Sequence, residues 1–352
     1  MKLLIINVGG SSTKVALFED AELQIAETFR HDNKRLREFN SVWEQYEFRK
    51  DAIIRFCSSN SIALEEIDAF VSRGPAVKPL KSGVYQVSEE MIRDAESMKY
   101  GNHPCGLSCK LAFDLSGGSK PVLTVDPPCV DEMESISKYT GLPEIKRKSK
   151  FQALNHKAVA KRYAKAVGKR YDELNLVVCH LGSGISVASH RKGLVVDVTN
   201  GLDGDGPFGL DRVGTLPAGD WMEMCTSGNH SKEQLKSLLD GGGGMMAYLK
   251  TNNAIEIEKR IAEGDIEAEA IYHAMIFQTA KSIGAACAVF EAQPDAILIT
   301  GGLANSDLYT SLLRKKIEWI CPIEVLPGED ELQALAEGAV RGLNGEEEIL
   351  TY

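Results

Sequence analysis

The sequence predicts an α/β protein of two related halves with mixed sheets. Three observations lead there. Residues 3–18 read LLIINVGGSSTKVALF, two β-rich runs around a turn of glycines and hydroxyls. Residues 176–187 read LVVCHLGSGISV and repeat the design. Around the two copies, short apolar runs alternate with amphipathic stretches, the pattern of strands packed under helices.

Each element follows from local chemistry. In the first hairpin, Gly9 and Gly10 let backbone approach a ligand. Ser11, Ser12 and Thr13 add hydroxyls, and consecutive backbone N–H groups there form a nest for an anion. Taken alone this is also an ordinary polar hairpin; the second copy, with His180, Gly182, Ser183 and Gly184, argues for phosphate turns. No GxxxxGK[ST] loop occurs, and no helix follows at once as in a dinucleotide fingerprint. The pair suggests a nucleotide clamped in a cleft between the halves.

Residues 23–29 suit a third strand, residues 34–49 a charged surface helix and residues 51–57 another helix. Residues 67–71 form a strand that delivers Arg73 just past its end, where α/β sites gather, although a solvated loop arginine fits that position equally well. Ser88 caps a helix that opens with Glu89 and Glu90. His103, Cys105 and Cys109 read as small buried groups on a helix or a weak metal set. Residues 122–125 form a strand ending in Asp126, stiffened by Pro127 and Pro128, a carboxylate placed for Mg²⁺ or a turn.

Residues 151–167 are a basic helix on which Gln152, His156 and Lys157 share one part of the surface, and a lone helical His is usually structural. Residues 200–220 form a long Gly and Asp loop whose only cation is Arg212. Its Asp203 and Asp205 touch a metal or, more simply, shape turns. Residues 241–244 are a hinge or helix entrance, and residues 266–290 one long helix. Residues 296–299 are a strand followed by Gly301, Gly302, Leu303 and Asn305, with a helix opening at Ser306; that combination suits a phosphate or nucleoside. A last strand, residues 323–326, leads through Gly328 to a helix from Asp330, and the tail GEEEILTY reads as frayed. The halves divide softly near residue 150, as 1–150 with residues 331–352 and as 151–330.

Composition narrows the function. The chain has 352 residues, room for two cores, and a net charge of −10, which argues against nucleic-acid binding. Eight cysteines lack CxxC pairs and read as reduced thiols of a cytoplasmic protein. The first apolar run is too short for a signal h-region, and no stretch suits a membrane span.

The segments INVGGSSTK, SRGPAVKPLKSGVYQV, VDPPCVDEMESISKYTGLPEIKRKS, HLGSGISVASHRKG, LDGDGPFGLDRVGTLPAGD, ITGGLANS and PGEDELQALAEGA occur in that order. Together they resemble the butyrate kinases of the acetate kinase family, in the actin, sugar kinase and Hsp70 ATPase superfamily. The resemblance spans almost the whole chain. It implies a duplicated two-domain actin-like ATPase (ribonuclease H-like) fold with an interdomain cleft. It also implies ATP-dependent, reversible phosphorylation of butyrate or a similar short-chain carboxylate to an acyl phosphate. The alternatives are another acid (acetate, propionate, a branched or aromatic carboxylate) or a catalytically weak ATP-binding regulator.

By motif, the resemblance places Asn7 on the transferring phosphoryl group, and Arg73 and Arg212 on carboxylate and phosphoryl oxygens. It makes Asp126 the catalytic Asp and puts His103 and His156 near the substrate. Ser11 to Lys14, His180 to Gly184 and Gly301 to Asn305 hold ATP or ADP. Mg²⁺ is held by Asp126 with Asp330 or Glu331. A homodimer or larger assembly is implied too. The chain departs from the family at Val8 and Gly10, at HPCGLS around His103, at the GLD before Arg212, and at Gln152. There the family has His; His156 lies four residues on, about one helical turn.

The residue types suit this chemistry. A carboxylic acid with a pKa of about 4 to 5 is already an anion at pH 7, so no base is needed. The obstacle is bringing an anion to an anionic γ-phosphate, which calls for arginines, a cation and backbone N–H groups.

Overall fold

The structure is a computed structural model and describes every residue except Asp203; the metal reading of Asp203 therefore lies outside the described residues. The chain forms two compact units, Met1–Asp131 with Asp330–Tyr352, and Glu132–Glu329. The segment just after Asp131 belongs to the second unit through Arg147, which bonds Asp197 at 2.6 Å and Asp205 at 3.1 Å. Asp205 is thus the partner of an arginine.

The first unit is built on β1 (Lys2–Val8), β2 (Ser12–Glu19), β3 (Glu22–Arg30), β4 (Ala69–Ser72), β5 (Val84–Gln86) and β6 (Val122–Val125). The strand order is β12-β5-β6-β4-β1-β2-β3, where β12 is the C-terminal Ile349–Leu350. The tail is therefore a strand, paired to β5 and fastened by a bond from Tyr352 Oη to Asp94, because Ile349 and Leu350 alternate into the sheet edge. The second unit carries β7 (Asn175–Leu181), β8 (Ile185–Arg191), β9 (Leu194–Val198), β10 (Ala296–Gly301) and β11 (Ile323–Pro327), in the order β11-β10-β7-β8-β9.

The two halves repeat one topology. An antiparallel meander, β1-β2-β3 or β7-β8-β9, is extended by two parallel strands, β4 and β6 or β10 and β11. Parallel pairing aligns strand ends. Ile6, Ser72 and Thr124 share one register line. His180, Thr300 and Leu326 share the equivalent line in the second unit. The residues just beyond each line lie at the carboxyl ends of parallel strands, the position where α/β sheets bind ligands.

Packing follows the two-residue strand period. Val177, Cys179 and Leu181 face the helices Ile266–Cys287 and Asp307–Ile317, while Leu176 and Val178 face the helix Ala153–Ala166. The long helix expected over residues 266–290 is one helix. The two helices expected over residues 34–49 and 51–57 are instead a short Asn33–Leu36 turn and one helix, Tyr46–Ser59. The true period starts at Arg49, with Ile53 and Phe56 four and seven residues on, so this face is buried rather than exposed.

In the first unit the helix Glu331–Leu343 lies against β6, β1 and β4. A Cβ built at Gly338 would fall 2.4 Å from Val125 Cγ1. Gly338→Ala is therefore expected to cost about 1–3 kcal/mol of overpacking, outweighing the roughly 1 kcal/mol that Ala gains over Gly in a helix. A urea titration should show a lower midpoint at unchanged circular dichroism. An unaltered midpoint would show that the helix is free to back away.

Candidate active site

In the first unit the site is assembled one residue past the shared register line. Asn7 is the next-to-last residue of β1, and its Nδ2 donates to Glu331 Oε2 at 2.7 Å. Lys14, across the hairpin from Asn7, brings its Nζ to 3.8 Å from the same oxygen. Arg73, just past β4, ion-pairs with Glu331 Oε1. One carboxylate thus gathers an amide, an ammonium and a guanidinium. It lies in the first turn of its helix, where the backbone favours an anion. The neighbouring Asp330 is spent differently: its Oδ1 caps that helix by accepting from Gln333 N–H at 3.2 Å.

Asp126 follows β6 in a left-handed conformation, φ 40°, and is buried. Its Oδ1 accepts from Gly83 N–H at 2.8 Å, and its own N–H donates back to Gly83 O at 3.0 Å. A Cβ at Gly74 would lie 2.3 Å from Pro127 Cβ, so the loops after β4 and β6 touch. That contact brings Arg73 and Asp126 to one corner. His103 is beside them. Enclosure lowers its pKa, and the nearby Arg73 charge lowers it further. Its Nδ1 accepts from Cys105 N–H at 3.1 Å. Burial pushes the Cys105 thiol up to about 11 and the Cys109 thiol up to about 12, so neither is a ready thiolate. Among the described residues no group of three or more His, Cys, Asp or Glu is arranged to cage a metal.

The turn after β1 is closed by Gly9 N–H to Ser12 O at 2.9 Å. Ser11 is exposed and Ser12 half-buried, but Thr13 is turned into the core. Its hydroxyl lies 3.2 Å from Arg49 Nη1 and 2.9 Å from His31 Nε2. Arg49 is a site feature that sequence reasoning missed. It is fully buried, its remaining bonds go to Gly10 O and Gln45 Oε1, and no described carboxylate pairs with it. Burial lowers its pKa to about 10, which leaves it a cation at neutral pH beneath the turn. The available signal was its spacing from Ile53 and Phe56.

In the second unit, His180 ends in a fixed orientation. Asn155 Nδ2 donates to its Nδ1 at 2.8 Å, which leaves the proton on Nε2, 2.9 Å from Glu329 Oε1. Asn155 also reaches Thr300 Oγ1 at 3.1 Å, so β7 and β10 are tied through one amide. Gly182 N–H closes the turn onto Gly184 O at 3.2 Å. At Gly184 a Cβ would meet Gly201 O at 2.3 Å and Arg212 Cγ at 3.2 Å. Glycine is required there, and Arg212 lies along the turn. Arg212 pairs with Asp211 and, at 2.8 Å, with Asp240, while its Nε is buried without a partner.

Gly301 has φ 94°, and a Cβ there would fall 2.4 Å from Leu181 O. The loop Gly302–Asn305 and the turn at Gly182 and Ser183 line a cavity of about 610 Å³, completed by Leu210, Asn252 to Ile255, Glu258 and Ser306. This volume falls in the range of small-molecule sites.

His156 is placed elsewhere. It is fully buried, and both ring nitrogens are engaged. The bonds form one directed chain. Ser186 Oγ donates to Gln152 Oε1 at 2.7 Å, so it accepts from His156 Nε2 at 2.9 Å. His156 Nδ1 then accepts from His190 Nε2 at 3.4 Å, and His190 Nδ1 accepts from Tyr171 Oη at 2.6 Å. No ring edge is left for a substrate. His156 is an inner support of β8, and Gln152 is the outer end of its chain.

Comparison with known proteins now identifies the class. The sequence profile of the acetokinase family matches residues 139–321. Butyrate kinase 2 of Clostridium acetobutylicum is 44% identical over 352 residues, covering 100% of this chain and 99% of that protein. The chain belongs to the acetokinase family, whose members are ATP-dependent carboxylate kinases. Two solved structures share the fold: Porphyromonas gingivalis acetate kinase and a propionate kinase from Francisella tularensis subsp. tularensis. Each has TM-score 0.75 and 18% identity, over 96% of this chain and 98% of the other. The α/β fold with mixed sheets, in the actin-like ATPase class, is the one expected from the sequence.

The buried histidines set a pH dependence. Burial first, then the neighbouring His190 and His180, hold His156 well below its ordinary pKa; burial and Lys157 do the same to His190. Both stay neutral in the fold, while the unfolded chain takes up protons near pH 6.5. Stability is thus fully present above about pH 6.5 and falls below it. Melting temperature should drop from pH 7 to pH 5.5, and less steeply in His190→Gln. Parallel slopes for the two proteins would refute the assignment.

Proposed function

We propose that this chain transfers the γ-phosphoryl group of ATP directly and in line to butyrate or a similar short-chain carboxylate, giving ADP and an acyl phosphate, and that it runs in both directions. The first unit serves the acyl and phosphoryl groups and the second holds the nucleotide. The observation that carries the reading is the grip on Glu331. Asn7, Lys14 and Arg73 already converge on a carboxylate, the chemistry an acid or a phosphoryl group demands. Full-length likeness to a butyrate kinase supports butyrate over a longer list of acids.

In this reading no group removes a proton from the acid, which arrives ionised. Arg73 and Arg212 screen the approach of one anion to another. Asn7 orients the transferring group, and His103, kept neutral by its enclosure, donates no charge of its own. Ser11, Ser12 and Lys14 in the first turn, and His180, Gly182 to Ser183 and Gly301 to Asn305 in the second unit, hold phosphates and nucleoside.

Asp126 and Glu331, rather than the helix cap Asp330, are the carboxylates of this corner that would hold Mg²⁺, and Glu331 would give up Arg73 or Lys14 to the ion. A hard oxygen set with few protein ligands fits an ion that keeps much of its water and binds phosphate oxygens. When bound, Mg²⁺ neutralises phosphate charge. A cytoplasmic location fits the eight free cysteines and the absence, among the described residues, of a helix long and apolar enough to cross a membrane. Homodimer or higher assembly belongs to the same reading; light scattering at monomer mass would remove it.

Two measurements test the function. Incubation with ATP, Mg²⁺ and hydroxylamine over a panel of acids should give most acyl hydroxamate with butyrate or its near neighbours; no product with any acid would overturn the proposal. Arg73→Ala and Arg212→Ala should each lower turnover by about 10³-fold. Near-normal turnover in either would remove that arginine from the chemistry.

A further inference from the structure

Among the residues lining the second unit's cavity, Glu258 is used by none of the roles above. It lies on the helix Ala254–Ala262. Its Oε1 accepts two hydroxyl donors, Tyr272 Oη at 2.5 Å and Ser306 Oγ at 2.6 Å. Both donors are themselves fixed. Tyr272 is fully buried, and Ser306 caps the helix Asp307–Ile317 by accepting from Tyr309 N–H at 2.9 Å. The carboxylate is therefore held in one orientation by groups outside the cavity.

Its second oxygen is different. No described residue bonds Oε2, and no described cation pairs with the carboxylate. A half-used carboxylate on a cavity wall is an acceptor awaiting a donor, because an ionised acid offers only acceptor sites. The cavity's other acid, Glu329, is already engaged by His180. The apolar lining from Leu210, Leu303 and Ile255 suits the faces of a base. Among the groups a nucleotide brings, the two adjacent ribose hydroxyls are the donors best matched to a carboxylate, as in acid–ribose pairs of other nucleotide sites. An acid here also repels the phosphate tail, which leaves the glycine turn as its place.

We infer that Glu258 is the ribose-reading residue of this site: its Oε2 accepts from the vicinal 2′- and 3′-hydroxyls and makes the enzyme select ribonucleotides. The inference rests on the second unit's cavity being the nucleoside site. Tyr272 and Ser306 are the positioning pair behind it.

The test is titration calorimetry of the full chain with Mg²⁺ and ATP, 2′-deoxy-ATP, 3′-deoxy-ATP or ITP, which reads binding whatever acid the enzyme uses. Wild type should bind ATP about 10- to 100-fold tighter than at least one deoxy analogue, the span of a hydrogen bond to a charged group. Glu258→Gln should weaken ATP by a similar factor, leave that deoxy analogue nearly unchanged, and so bring the ratio towards one. Glu258→Asp, which shortens the reach but keeps the charge, should fall between.

Equal loss for all four nucleotides would mean that Glu258 only braces Tyr272 and Ser306, and would overturn the inference. So would a wild type indifferent to both hydroxyls. If the variant instead erased a preference for ATP over ITP, the carboxylate would be reading the base amine and the ribose assignment would fail. Failure of the hydroxamate assay with intact ribose selectivity would count against the kinase reading alone.

Discussion

Parallel pairing at the ends of three strands is the constraint on which each half of this protein depends. Once Ile6, Ser72 and Thr124 are in register, Asn7, Arg73 and Asp126 emerge at neighbouring positions whatever the intervening sequence does. The spacing between them in the chain is large and variable in character, yet the sheet makes them adjacent. The second unit applies the same rule with His180, Thr300 and the residues that follow β11. Loops so anchored need little structure of their own. Two positions show where they are tight: Asp126 takes a left-handed conformation, and Gly301 is squeezed against Leu181 O.

Around these strand ends the protein buries polar groups at a cost that apolar packing would have avoided. Arg49 lies under the first turn with neutral acceptors only. An isolated buried charge carries a desolvation penalty of several kcal/mol, offset here in part by its hydrogen bonds. His31, against the same Thr13, is driven down to about 4 by enclosure first and by Arg49 and Arg55 next, so it adds no second charge. In the second unit the Lys157 ammonium is wholly buried, but it has Glu132 at 2.6 Å and Gly193 O at 2.8 Å. The contrast is informative. The paired cation braces a sheet, whereas the unpaired one underlies the first turn and holds Gly10 O.

Much of this was legible in the residues, and the limits have physical causes. The apolar runs of β1, β7 and β10 and the turns after them are local signals, read by period and by glycine. So are the Ser88, Ser306 and Asp330 caps, each of which accepts from the backbone N–H three residues on. Burial of a polar residue is not local. Thr13 reads as a loop hydroxyl until β2 pairs with β3 and turns it inward; His156 reads as a helix-surface imidazole until β8 supplies Ser186 and His190. The break at residues 37–42 hid the real start of the helix at Tyr46, and with it Arg49. Two adjacent acids, Asp330 and Glu331, were indistinguishable by spacing; the helix start separates them, since the residue before the first turn caps and the next points along the strand ends.

The distribution of charge then explains how an acidic protein serves anions. A net charge of −10 repels an incoming nucleotide at long range, but only within the screening length of about 8–10 Å does the local set matter. There the balance reverses. Arg73, Lys14 and Arg49 belong to one corner of the first unit, against Glu331 and Asp126. In the second unit Arg212 keeps one buried N–H unsatisfied beside the glycine turn. Acids pair with Arg73, Lys14 and Arg212 and hold them in defined positions, while Arg49 keeps neutral acceptors only. A general base would add nothing to such a site, because the acid to be phosphorylated has already lost its proton.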